Sequence, residues 1–223
     1  MPKIKQAIET KPRPKKQAKR AVKREKTQFS FKLFGKWEPA DITNSSMRGY
    51  INMDPRFMPR SAGALRGRFH KSKMHIVERL ALKLLVSGHT GKKHKLTSGK
   101  FGGGYGTVTL AVEKALEIIE SKEKKNPLEV LAQAIENSAL REEVISYQRG
   151  SIMAREAVVT SPQRRVDKTL RYFAQAAYRK SFNKNRSLAE TLADELIAAY
   201  KGSADSFAIK EKERMEREAS GAR

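Results

Sequence analysis

A mainly α-helical fold, a bundle of about six helices from which one β-hairpin protrudes, is predicted by three features of this 223-residue chain. Apolar residues recur with the 3.6-residue period of a buried helix face in successive stretches between residues 76 and 220. Helix-start signals, a Ser or Asn followed by Pro or by a Glu three residues on, precede several of those stretches. Segment 144–159 breaks the pattern, with two β-branched and apolar runs around Gly150-Ser151 that suit strands closed by a tight turn. A basic N-terminal tail and an extended arm complete the fold.

In chain order, residues 1–28 alternate Lys and Arg with Pro, Ala and Gln and hold almost no large apolar group. They cannot bury enough surface to offset the entropy of ordering, so they read as a tail that is disordered when free. Residues 29–72 scatter Phe29, Phe31, Phe34, Trp37, Tyr50, Phe57 and Phe69 among Pro, Gly and Arg, the pattern of an extended arm lying over a helical core. Residues 73–223 are enough for one domain core. There, Ile76, Val77, Leu80, Leu84 and Leu85 predict a first helix ended near Gly88. Val108, Val112, Ala115 and Ile119, with Leu116 and Ile118, predict a second. Asn126-Pro127-Leu128-Glu129 opens a third through Val130, Leu131, Ala134 and Ile135.

After the hairpin, Ser161 offers a capping hydroxyl and Pro162 a residue whose missing N–H costs nothing at the first helical position. This fourth helix has two faces: Val166, Leu170, Phe173 and Ala177 on one, Arg164, Lys168 and Arg171 on the other. Ser187-Leu188-Ala189-Glu190 is a capping box for a fifth helix through Leu192, Leu196 and Ile197, stopped by Gly202. A sixth, Ser206 to about Ser220, is strongly charged, with Phe207, Ile209 and Met215 as its anchors.

Charge points to a polyanionic partner. Forty-seven Lys+Arg against 24 Asp+Glu give a net +23, whose self-repulsion opposes compaction unless something anionic neutralises it. The excess is weighted to the first half: 13 basic and 2 acidic groups in residues 1–36, against 21 and 18 in residues 107–223. No run approaches the ~18 apolar residues that span a bilayer, and no apolar segment follows the basic N-terminus, so a cytosolic location is expected. The absence of cysteine removes thiolate nucleophiles, disulfides and Cys-based zinc sites. His70, His75, His89 and His94 lack the spacing of helical metal ligands and read as solvated or phosphate-facing, so no metal is expected.

Three segments offer contacts to an anion. Gly91-Lys92-Lys93-His94-Lys95 reads either as a solvated lysine cluster or as a loop approaching phosphates. Arg164, Arg165, Lys168 and Arg171 have only Asp167 among them, so their helix face has little neutralisation of its own and favours phosphate over plain solvent. Arg149 and Arg155, with Gly150 and Ser151 at the turn and Arg141 at the base, make the hairpin basic; its strands could instead be a purely structural edge. The stretch Ser98 to Gly106 lacks the lysine-hydroxyl pair of a nucleotide-binding loop and reads as a linker or as a glycine-rich loop with Phe101 or Tyr105 stacking on a base. Glu142-Glu143 and Asp194-Glu195, read as neighbours on a helix, point apart and have no histidine beside them. No enzyme and no cofactor are expected.

The segment "SPQRRVDKTLR" behind an "RG" hairpin, together with "KWEPADI", "RGYINM", "HIVERLALKLL", "TGKKHK", "NPLEVLAQAIENSALREEV", "SLAETLADELIAAYKGS" and "SFAIKEKERMEREASGAR" in that order, resembles the small-subunit ribosomal protein family numbered seven in bacteria and five in eukaryotes, in its archaeal and eukaryotic branch. The resemblance runs from about Phe34 to Arg223. Gly49 and Lys168 depart from it, standing where relatives commonly carry a basic residue and an apolar or small one respectively. The resemblance implies a structural constituent of the small ribosomal subunit that binds rRNA of the head domain and nucleates head assembly. Its partners would be that rRNA, exit-site tRNA and mRNA near the hairpin, and neighbouring small-subunit proteins, in the cytoplasm and bound to the ribosome. The candidate rRNA-binding residues are Lys92, Lys93, His94, Lys95, Arg164, Arg165, Lys168, Arg171, Arg66 and Arg68, with residues 29–72 as an RNA-facing arm; the hairpin set is Arg149, Gly150, Ser151 and Arg155. The alternative is a basic DNA-binding or chromatin-associated helical protein. A DNA reader, however, presents its recognition helix from a helix-turn-helix or a dimer, and here the basic helix follows a hairpin.

Overall fold

At five of the seven α-helix starts among the described residues, a side chain satisfies backbone N–H groups that a first turn leaves open. The computed structural model describes residues 34–55, 67, 69–90, 93–94 and 103–223. Among these, seven α-helices form: α1 (Ser45–Arg48), α2 (Ile76–Leu84), α3 (Tyr105–Glu123), α4 (Pro127–Ser138), α5 (Pro162–Ser181), α6 (Leu188–Tyr200) and α7 (Phe207–Ser220). Strands β1 (His89–Thr90) and β2 (Lys93–His94) make one small antiparallel pair, and β3 (Glu142–Arg149) and β4 (Ile152–Val159) make the hairpin. Asn126 accepts the Leu128 N–H at 3.0 Å ahead of Pro127. At α6 the expected capping box closes, with the Ser187 hydroxyl and the Glu190 carboxylate each holding the other's backbone N–H. Past the end of α6, Gly202 takes the left-handed conformation (φ +68°) that turns the chain.

Helix α6 packs against α3, α4 and α5, α2 lies across α3 and α5, and α7 covers α5 and the hairpin base. Leu84, Leu116, Leu131, Leu170, Phe173 and Leu192 are fully buried among them. The apolar side of α5 is the one expected: Val166, Leu170, Phe173 and Ala177 are all at 0% exposure.

Residues 34–55 lie against this core, with Phe34, Trp37, Met47, Ile51 and Met53 buried in it. The Trp37 indole donates to Glu120 at 3.0 Å, the Asn44 N–H donates to Glu136 at 2.9 Å, and Asn126 donates to the Glu38 carbonyl at 2.8 Å. The arm also carries α1, a single turn capped by Asn44, which makes seven helices where six were expected. One turn leaves almost no periodic signature.

Local details differ from the sequence reading. Helix α3 starts three residues early, at Tyr105, whose hydroxyl donates to Glu78 at 3.3 Å; the ring thus belongs to a helix start, while Phe101 lies outside the described residues. Ser161 has the extended backbone of an N-cap, but its hydroxyl makes no capping bond. His75 is buried, 2% exposed, and not solvated. It caps α2 by accepting the Val77 N–H on Nδ1 and donates Nε2–H to the Met53 carbonyl. In α7, Ala208 and Ala219 are buried more completely than Ile209, while Phe207 and Met215 are half-buried, so small residues let the helix sit close.

Candidate nucleic-acid interface

The hairpin has the full register from Glu142↔Val159 to Arg149↔Ile152, leaving a two-residue turn in which Gly150 has φ +65°. That is the first-position glycine of a turn whose twist matches the strands. Arg149, Gly150, Ser151 and Arg155 are all exposed at or near the tip, alongside Tyr147, Ile152 and Met153. Alternation along β3 sends Glu142 and Glu143 to opposite faces. The pair therefore lies on a strand and not on a helix: Glu142 meets Arg223, while Glu143 meets α5.

At the hairpin base, three cations of α5 are engaged with neighbouring groups. Glu143, 6% exposed, takes the Arg164 Nε and Nη2 at 2.5 and 2.9 Å and the Lys168 Nζ at 2.5 Å. Burial alone would raise this carboxyl's pKa, but the hydrogen bonds from Arg164 and Lys168 outweigh it and hold the value below the ordinary carboxylate range. Arg165 donates Nε–H to the Thr160 carbonyl at 2.8 Å, with Nη2 3.5 Å from the Arg141 carbonyl. The basic face is thus neutralised in part from β3, a partner that the sequence neighbourhood of Asp167 did not reveal. Arg165 is half-buried and ties helix to hairpin.

Beside this base lies a cleft of about 480 Å³ lined by Tyr50, Phe69, Lys71, Lys83, Gln163, Arg164, Asp167, Lys168 and Arg171. Five cations and one carboxylate line it. Asp167 is held by Arg79 at 3.1 Å and Lys71 at 3.5 Å. Arg79 is itself buried, 4% exposed, and donates to the Tyr50 carbonyl at 2.6 Å, which fixes the arm to α2 and α5. Burial pushes the Lys83 ammonium below its ordinary value, an effect that Asp167 only partly offsets. Phe69, 59% exposed, stands at the rim. The arrangement suits a phosphodiester: cations that are partly desolvated, two arginine forks, and an aromatic surface for a base.

The structure brings Arg164, Lys168 and Arg171 together in this cleft and adds Lys71, Lys83 and Phe69, which sequence reasoning missed. Their signal was diluted over three segments. Lys93 and His94 form β2, in register with Thr90 and His89; Lys92, Lys95, Arg66 and Arg68 lie outside the described residues. Among the described residues no cluster of His, Asp or Glu could hold a metal ion, and no helix is long and apolar enough to cross a membrane. Glu195, the other carboxylate weighed for acid–base work, is fully buried and caps α7 through Ser206 and the Ala208 N–H.

Comparison with known proteins agrees with the resemblance. The chain is 44% identical over 198 residues to the small ribosomal subunit protein uS7 of Nanoarchaeum equitans, an alignment covering 87% of this chain and all of that protein. It is 41% identical over 195 residues to uS7 of Methanothrix thermoacetophila (86% and 100% covered) and 42% identical over 195 residues to uS7 of Archaeoglobus fulgidus (86% and 94%). The family described as ribosomal protein S7p/S5e matches residues 47–223, a span that takes in the buried arm from Met47, the cleft and the hairpin. The chain belongs to the S7p/S5e family of ribosomal proteins, structural and non-enzymatic components of the ribosome.

Proposed function

We propose that the chain binds small-subunit rRNA of the head domain through the cleft at the start of α5, helps nucleate head assembly, and holds its hairpin beside exit-site tRNA and mRNA. Neighbouring small-subunit proteins complete its surroundings in the cytoplasmic ribosome. The observation that carries this reading is the cleft itself, which Lys71, Lys83, Arg164, Lys168 and Arg171 line with Asp167 as the one carboxylate among the lining residues. Binding works by phosphate neutralisation and shape fit, so it releases counterions and weakens with salt. Lys92, Lys93, His94 and Lys95, with Arg66 and Arg68 and the arm of residues 29–72, extend the same contact, and Arg149, Gly150, Ser151 and Arg155 serve the tRNA and mRNA side. The DNA-binding alternative is disfavoured because α5, the basic helix, ties its first turn to the hairpin and does not stand out from a helix-turn-helix as a recognition helix does.

Titration of the full chain against a head-domain rRNA fragment and a DNA duplex of equal charge, over a salt series, tests the proposal. Binding to the rRNA fragment that exceeds the DNA by at least roughly a thousandfold, the lower end of the range that separates specific from non-specific sites, supports it. Equal affinities at every salt concentration overturn it.

A further inference from the structure

Arg164 donates two of its three nitrogens, Nε and Nη2, to one carboxylate that lies on a different element and is almost fully buried. A guanidinium has two edges that can grip an acceptor bidentately, Nε–Nη2 and Nη1–Nη2. Glu143 occupies the first. Nη1 makes no hydrogen bond to the described residues and, with the second Nη2 hydrogen, leaves the Nη1–Nη2 edge open, and the side chain as a whole is 57% exposed on the wall of the cleft. The same carboxylate also anchors Lys168, whose side chain is only 20% exposed and lines that wall.

We propose that Glu143 is a specificity-determining positioning residue: from the hairpin base it aims the free edge of Arg164, and with it Lys168, so that a phosphate group presented in one orientation is gripped and others are not. The idea rests on the RNA-binding reading above and adds to it. Coulomb's law alone makes a carboxylate next to a phosphate site unfavourable to every polyanion, so its removal should strengthen all RNA binding. Positioning predicts a split, because a freely rotating arginine forfeits a bidentate contact with the matched RNA while a mismatched RNA gains from the lost negative charge. The hairpin and the cleft then share one carboxylate, and the setting of one governs the other.

The test compares Glu143→Gln, Arg164→Lys and the double variant in the full chain, against a head-domain rRNA fragment and a fully paired RNA duplex of the same length. Glu143→Gln is expected to weaken the fragment roughly tenfold, the scale of one charge-assisted hydrogen bond, and to leave duplex affinity equal or higher. Arg164→Lys keeps the charge but lacks the fork, so it should show the same fragment loss, and the double variant should lose little more than either alone. Equal strengthening of both RNAs in Glu143→Gln, or unchanged affinity for both with additive losses in the double variant, overturns the proposal. Should Glu143→Gln fail to fold, Arg164→Lys decides: an unchanged ratio of fragment to duplex affinity sinks the idea. If the wild-type chain itself does not distinguish fragment from duplex, it is the RNA-binding reading that has failed.

Discussion

Single residues in the cleft trade stability for charge. Lys83 is half-buried and its ammonium is depressed by desolvation, so Lys83→Met should raise the thermal midpoint while weakening rRNA binding and lowering the salt slope by about one phosphate contact. Calorimetry and a salt titration on the same sample check both halves; a lower midpoint would contradict the burial argument. Glu143 gives a pH signature. Its folded pKa is depressed, so its stabilising contribution is present above the ordinary carboxylate value near 4.5 and is lost as pH falls through the folded value. The midpoint gap between wild type and Glu143→Gln, about 2 kcal/mol at neutral pH for hydrogen bonds to charged groups, should therefore close on acidification, as unfolding from pH 7 down to about pH 2 would show. A gap that widens toward acid would reverse the assignment.

At the scale of elements, the hairpin divides into an anchored base and a projecting tip. Arg165 with Thr160, Glu143 with Arg164, and Arg223 with Glu142 hold the base, whereas residues 145–153 are all exposed. Deleting Gln148–Met153 should leave the thermal midpoint within about 0.5 kcal/mol of equivalent stability and leave incorporation into small subunits intact, while exit-site tRNA occupancy falls. Loss of incorporation from a folded protein would make the tip an assembly contact instead. This hairpin, and every helix from α2 to α7, was legible in the sequence, because caps such as Ser187 and Glu190 or Asn126 and Pro127, and turns such as Gly150-Ser151, are written within four residues. What stayed hidden is long-range: Glu143 and Arg164 are 21 residues apart, Arg79 and Asp167 are 88 apart, and no local spacing announces such pairs. Tyr105 was misjudged because its glycine neighbours suggested a loop. The cleft was half legible, since only its α5 wall has a contiguous basic pattern.

Over the whole molecule, a net charge of +23 makes RNA affinity a steep function of salt. Residues 1–28 carry 11 of the 47 Lys+Arg, and removing them should lower rRNA affinity and flatten the salt dependence without moving the unfolding midpoint measured free of RNA; a large drop in that midpoint would mean that the segment packs on the domain. The docked arm has a different consequence, in time. Trp37 and Glu120 stand 83 residues apart, and Asn44 and Glu136 stand 92 apart. At roughly 5–20 residues per second of synthesis, the arm waits about 4–18 s before its binding partners exist. Its apolar side chains are uncovered for that interval, and the order of folding runs against the order of the chain: helices translated later must assemble before the earlier arm can close over them. Trp37 is the only tryptophan in the sequence, so its emission provides a built-in clock for that closing step.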